Sequence, residues 1–218
     1  DFSDLFSADA VDELISRRGL RTPFLRVAKG GSTLPDSSFT SPAGVGATIS
    51  DQIDDTELWR KFADGATLVL QGLHRTWEPV SSFSTQLSTE LGHPVQANAY
   101  ITPPQNRGFD DHYDIHDVFV LQIEGTKRWI IHEPVHVDPL RSQPWTGRRS
   151  DVAEAAQGTA YIDTVLEPGD VLYLPRSWLH AAQAQGKVSI HLTLGVHNWT
   201  RYALAEHLAE AALAALGD

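Results

Sequence analysis

The second half of the chain is written in short strands, and that pattern limits the fold more than any other feature. Segments 95–102, 117–123, 127–132, 164–166, 170–174 and 188–196 are each rich in β-branched or aromatic residues. Turn residues punctuate them at Glu124-Gly125, Glu167-Pro168-Gly169-Asp170 and Gln185-Gly186. Pro168 followed by Gly169 suits a tight turn with positive φ at the glycine. Many short strands with closely spaced turns predict a mainly β chain, a barrel or jelly roll, with flanking helices.

Those helices are predicted on both sides of the strands. Ser7 can cap one that runs to Arg17, with Val11, Leu14 and Ile15 on one face and Asp9, Asp12 and Glu13 near its positive end. Asp54 and Asp55 open a second, carrying Leu58, Trp59 and Phe62. Pro79 suits the first turn of a third, where Val80, Phe83, Leu87 and Leu91 follow at helical spacing. A short apolar strand is expected over 66–73. Residues 27–50, rich in Gly, Ser, Thr and Pro, read as loop with one short strand, and 141–157 as a long surface loop able to act as a lid. Thr200 caps a last helix with Leu204, Leu208, Ala212 and Leu216 on one stripe.

Composition narrows the function classes. With 218 residues, 41% hydrophobic and 21% charged, the chain can bury one large core. Its formal charge of -11 repels phosphate backbones, so direct nucleic-acid binding is not expected, whereas a basic protein or peptide partner is steered toward it. No stretch approaches the ~20 apolar residues of a membrane span. Cysteine is absent, which removes disulfides, thiolate metal sites and Cys nucleophiles together. With no signal peptide in Asp1-Phe2-Ser3-Asp4, a cytoplasmic location is the expectation. Methionine is absent as well, including at the start, which fits a chain that begins or ends inside a longer protein.

The chemistry is carried by His112-Tyr113-Asp114 and a distant His180. Two imidazoles and a carboxylate make a facial triad, which holds one side of a non-haem Fe(II) and leaves the other side open. His112 and Asp114 point to the same side of an extended chain; His180 must be delivered by the fold. An isolated H-x-D is common in loops, and Asp110, Asp111 and Asp117 crowd this one. His116 continues the alternation and reads as a neighbour of the site rather than a ligand. His191 faces either the barrel interior or the packing. Lys127 shares a strand face with Trp129 and Ile131, so burying Trp129 carries Lys127 inward, where an ammonium needs an anion. Asn98 and Tyr100 share a face of the strand before the H-x-D, as substrate contacts or as buried polar groups bonded to backbone.

Taken together, His112-Tyr113-Asp114, Gly125-Thr126-Lys127-Arg128-Trp129 and Leu174-Pro175-Arg176-Ser177-Trp178-Leu179-His180 resemble the linked H-x-D, G-x-K-x-W and L-P-R-x-x-x-H blocks of the JmjC-type cupin oxygenases. The likeness is greatest to the ribosomal oxygenases, which hydroxylate Arg or His side chains of ribosomal proteins. It is strong over roughly residues 95–197 and looser before them. It implies a double-stranded β-helix, Fe(II), and 2-oxoglutarate and O2 as co-substrates, with succinate and CO2 as co-products. His112, Asp114 and His180 match the metal ligands, and Lys127 matches the residue that binds the far carboxylate of 2-oxoglutarate. Asn98 and Tyr100 match positions that contact the target side chain, and Thr193 the co-substrate wall. The chain departs from the family at Gly195, where some members place a substrate-contacting Ser, and at Ser177, usually Gly.

The resemblance also implies an organisation. Residues 1–200 form one catalytic domain, with helices and strands over 1–94 and the barrel core over 95–200. Residues 201–218 form a C-terminal helix, the start of a dimerisation region, which makes a homodimer an expectation. A shorter relative and an incomplete chain both fit this ending. Rival functions are a cupin isomerase or an oxygenase that does without 2-oxoglutarate, a non-catalytic binding module, an N-methyl-lysine demethylase, and a hydroxylase of a small molecule or biosynthetic peptide.

Overall fold

The computed structural model describes residues 1–44, 46 and 48–216. Val45 and Ala47, inside the predicted 27–50 loop, and Gly217-Asp218, at the end of the last predicted helix, lie outside the described residues.

The N-terminal part alternates helices and strands: α1 (Ala8–Arg17), β1 (Leu25–Lys29), β2 (Ser32–Thr33), β3 (Thr40–Ala43), β4 (Ile49–Ile53), α2 (Asp55–Ala63), β5 (Thr67–Leu70), α3 (Leu73–Thr76) and α4 (Glu78–Leu91). Ser7 and Asp54 cap α1 and α2 as their sequences require, accepting the Ala10 and Glu57 N–H groups. The predicted 27–50 loop is a correction. It carries the end of β1, all of β2 and β3 and the start of β4, with β1 built into the main sheet against β5 and β3 paired to β4. The two-residue β2 and the four-residue β3 are too short to show the alternation that would have announced them.

The barrel follows with β6 (Val95–Thr102), β7 (Asp117–His132), α5 (Arg149–Ala155), β8 (Ile162–Leu166), β9 (Val171–Leu174), β10 (Leu179–Val196) and α6 (Arg201–Leu216). The main sheet runs β2-β1-β5-β6-β10-β7-β8, and β9 adds to β7. Two predicted turns are bends instead. Glu124-Gly125 lies within β7, with Gly125 at φ +62°, and Gln185-Gly186 lies within β10, where the register with β7 shifts between Gln185 and Ile190. A bulge bends a strand so that it can pass from one sheet layer to the next. Each long strand therefore serves both halves of the barrel: β8 pairs with the second half of β7, β9 with the first.

Alternation then divides the side chains. Val95, Ala97, Ala99 and Ile101 of β6 and Leu192, Leu194 and Val196 of β10 pack with the N-terminal helices in the larger core. The opposite face turns inward, toward a second cluster of Val118, Val120, Trp129, Ile131, Leu166 and Leu174. The predicted 141–157 loop is also corrected. It contains a short 3-10 turn and α5, whose buried Val152 packs with Tyr113 and Leu179 next to the metal-site loop.

Ser177 has φ +75°, a conformation that costs an L side chain of order 1 kcal/mol and glycine almost nothing. Its backbone N–H donates to the Asp114 carbonyl at 2.8 Å, so the strained turn ties the two ends of the site together. Its buried Oγ has no hydrogen-bond partner among the described residues. Ser177→Gly is therefore expected to raise the melting temperature by about 2–4 °C. Calorimetry that found a lower melting temperature would mean that the hydroxyl stabilises this turn.

Candidate metal centre

His112 and His180 face each other across an antiparallel bridge: the His180 N–H donates to the His112 carbonyl at 2.8 Å and the His112 N–H to the His180 carbonyl at 3.3 Å. The tight turn at Ser177 brings Asp114 to the same place. One ligand atom from each of His112, Asp114 and His180 lies within 4.8 Å of the others. Backbone carbonyls fix both rings. His112 Nδ1 donates to the Asp110 carbonyl at 2.7 Å and His180 Nδ1 to the Trp178 carbonyl at 3.0 Å, which leaves each Nε2 as the free donor atom.

Charge completes the fit. Burial, followed by the charge of His112, holds His180 down at about 4, so its imidazole is neutral at pH 7. Burial pushes the Asp114 carboxyl up, but His180, His112, His116 and Arg26 outweigh it and keep the group below its usual value, ionised. Two imidazole nitrogens and one carboxylate suit a first-row divalent metal such as Fe(II).

The metal-site residues form one wall of an inner cavity. Lys127 enters from the other side, 3% exposed, with Nζ donating to Thr102 Oγ1 at 3.0 Å and 3.3 Å from His191 Nδ1. Burial of Trp129, at 4% exposed, does carry Lys127 inward. Burial lowers the Lys127 ammonium to about 7. Burial and Lys127 hold His191 well below its ordinary value, and its ring stacks on Tyr100 at 4.8 Å. Burial and the Asp114 charge push Tyr100 up to about 12, so it stays a neutral phenol.

Tyr100 and Thr193 line this cavity; Asn98 does not. It shares a strand face with Tyr100 but sits one pleat further along, opposite Thr193, and its Oδ1 accepts the Gly72 N–H at 3.1 Å. Asn98 thus matches the reading of a polar strand residue bonded to backbone. His116 lies outside the ligand group; its ring packs near His197 and against Gly195, where a Cβ would come within 2.9 Å of it. Gly195 is absent from the cavity wall. Sequence reasoning missed Thr102, Thr67, Phe109 and Arg26. Thr102 was readable as the next step of the Asn98–Tyr100 alternation; the others carry no local signal.

A family model described as the JmjC domain matches residues 74–204, more than half of the chain. The chain belongs to the JmjC domain family. Among JmjC proteins, it is 41% identical over 110 residues to the bifunctional lysine-specific demethylase and histidyl-hydroxylase NO66 of Drosophila persimilis, covering 50% of this chain and 15% of that protein. It is 36% identical over 140 residues to ribosomal oxygenase 1 of Rattus norvegicus, covering 64% of this chain and 23% of that one. The chain thus spans less than a quarter of either relative's length. The ribosomal oxygenase YcfD of Escherichia coli, solved with cobalt and 2-oxoglutarate, superposes with a TM-score of 0.60 at 20% identity, over 98% of this chain and 50% of that one. That likeness establishes a shared fold, and the family match identifies the domain as JmjC.

Proposed function

We propose that this JmjC chain is an Fe(II)- and 2-oxoglutarate-dependent dioxygenase that hydroxylates a side chain of a protein or peptide, with Arg or His of a ribosomal protein the first substrates to test. The observation that carries the proposal is the pairing, in one cavity, of an oriented two-His-one-carboxylate set with a buried lysine that has no carboxylate partner among the described residues. His112, Asp114 and His180 hold the metal. When bound, the metal supplies the oxidising chemistry, in which O2 and 2-oxoglutarate give succinate, CO2 and a hydroxylated substrate carbon. Lys127 receives the far carboxylate of 2-oxoglutarate, with Thr102 fixing the ammonium. Tyr100 and Thr193 shape the wall beside it. Val118, Val120, Trp129 and Leu174 keep water away from the reacting groups.

The same proposal covers organisation. Residues 1–200 act as the catalytic domain, and the helix from residue 201 as the start of a dimerising region. Support comes from α6, which buries none of its residues although it carries Leu204, Leu208, Leu213 and Leu216. No helix among the described residues is long and apolar enough to cross a membrane, and a cytoplasmic location is part of the proposal.

Succinate release from 2-oxoglutarate by the iron-loaded protein tests the reaction. A screen of ribosomal-protein peptides for a mass gain of one oxygen tests the substrate. Formaldehyde release from methylated peptides would mark a demethylase, and no modified peptide at all would point to a small-molecule substrate.

Lys127 gives the reaction a pH dependence of known sign. An ammonium near 7 is mostly neutral at pH 8, yet must be charged to hold a carboxylate. Binding of 2-oxoglutarate at pH 8 is expected to take up close to one proton, and KM for 2-oxoglutarate to rise as pH increases above about 7. Calorimetry in two buffers of different ionisation enthalpy measures the proton; no uptake would exclude Lys127 as the anchor.

A further inference from the structure

The lysine of the inner cavity is held by more than burial. Lys127 pairs with Ala184 in the first half of β10, whereas His191, in the second half, pairs with Tyr100 of β6. The register shift after Gln185 separates the two halves, so Lys127 reaches across the barrel to residues of the other half. There its Nζ donates to Thr102 Oγ1 at 3.0 Å and lies 3.3 Å from His191 Nδ1. An ammonium has three donors and no acceptor, so Nδ1 must accept and the ring proton sits on Nε2. Burial and the Lys127 charge both favour this neutral ring.

The two acceptors are themselves fixed. Thr102 is fully buried, and its Oγ1 accepts a second bond, from Thr67 Oγ1, at 3.2 Å. His191 is 3% exposed. Its ring lies flat on Tyr100, with centroids 4.8 Å and planes 3° apart, and meets Trp129 edge to face at 5.4 Å and 80°. Phe109 braces Tyr100 in turn, at 6.2 Å. Turning the imidazole to withdraw Nδ1 would break this stack. Two of the three ammonium donors are thus committed to fixed points, and the third is left for a ligand in the cavity. A lysine held this way has already lost the rotamer freedom that binding would otherwise cost.

We propose that His191 is a positioning residue for the co-substrate. By accepting from Lys127 it aims the third ammonium donor at a carboxylate lying a set distance from the metal, and so fixes the length of 2-oxo diacid that the cavity takes. It acts through Lys127. This inference rests on the hydroxylase reading given above, in which Lys127 receives the far carboxylate of 2-oxoglutarate.

Three variants separate aim from packing. Asparagine sets its side-chain oxygen near the place of Nδ1, glutamine carries its oxygen one atom further, and leucine keeps bulk without an acceptor. Affinities for 2-oxoglutarate and for oxaloacetate, which is shorter by a methylene, are measured by calorimetry on the Mn(II)-loaded protein. The wild-type protein should favour 2-oxoglutarate. His191→Leu and His191→Gln should bind it roughly three- to tenfold more weakly, the cost of immobilising one freed side chain. Their preference over oxaloacetate should narrow, because a loose ammonium can follow the shorter acid. His191→Asn should keep both affinity and preference close to wild type, and KM for 2-oxoglutarate in succinate release should follow the same order. Asparagine and glutamine are both amides, so their difference remains decisive if leucine lowers the metal-free melting temperature. Equal binding of the two acids by the wild type, or asparagine as weak as glutamine, overturns the inference. A wild-type protein that binds no 2-oxoglutarate when metal-loaded fails the hydroxylase reading itself, which separates the two failures.

Discussion

In the His112→Ala protein, iron-dependent conversion of 2-oxoglutarate to succinate is expected to fall more than about a hundredfold, beyond the loss usual for a mere supporting residue of a metal site. The side chain supplies one of three donor atoms, aimed by the 2.7 Å hydrogen bond from its Nδ1 to the Asp110 carbonyl. Removing it leaves a nitrogen and a carboxylate, too few to hold a divalent metal against water. The fold itself should survive. The bridge to His180 uses backbone atoms, which alanine keeps, and the variant relieves an imidazole pair whose ring centroids are 4.4 Å apart. The decisive control is thermal stability with and without Mn(II). Metal raises the melting temperature of the wild-type protein by mass action on the native state, and that increment should vanish in the variant while its metal-free melting temperature stays at or above the wild-type value. Undiminished succinate release by His112→Ala would rule out this ligand set.

The parts of this site that could be read in advance obey short-range rules. His112 and Asp114 are separated by a single residue, and Lys127 is tied to Trp129 by the two-residue period of a strand, so burial of one fixes the other. What could not be read depends on pairings that no local pattern encodes. A glycine with positive φ serves a hairpin and a bulge equally well, so Gly125 looked like the end of a strand that in fact continues to His132. Asn98 and Tyr100 are equivalent by alternation; only the arrival of Gly72 from a different element separates the one that caps a backbone N–H from the one that stacks on His191. Arg26 lies just before the predicted 27–50 loop, in a segment with no assigned element, and comes near Tyr100 because β1 joins the sheet beside β5. The short helix α5 was hidden by its Arg, Ser and Gly neighbours, and only Val152 buries it.

Lys127→Met is expected to stabilise the metal-free protein while abolishing its use of 2-oxoglutarate. The lysine is 3% exposed, and its ammonium has a hydroxyl and a neutral imidazole for company, with no carboxylate in salt-bridge range among the described residues. A charge buried on those terms costs free energy, and that cost is what lowers its pKa from 10.5 to about 7. The sign follows directly. Between about 7 and 10.5 the unfolded chain binds a proton that the folded one does not, so the wild-type protein gains stability as pH rises through that window. Below about 7 the group is charged in both states and the penalty is felt in full. Methionine matches the length of the stem, removes the charge, and leaves Thr102 Oγ1 its bond to Thr67 Oγ1 at 3.2 Å. At pH 6 the variant should therefore be more stable by about 1–4 kcal/mol, and the advantage should shrink toward zero as pH approaches 10.5. With metal present, 2-oxoglutarate should raise the melting temperature of the wild-type protein and leave that of the variant unmoved, since the penalty borne by the empty pocket is the same charge that holds the co-substrate. Denaturant unfolding across this pH range measures the first effect, and a variant less stable than wild type at pH 6 would mean that Thr102 and His191 already compensate the buried ammonium.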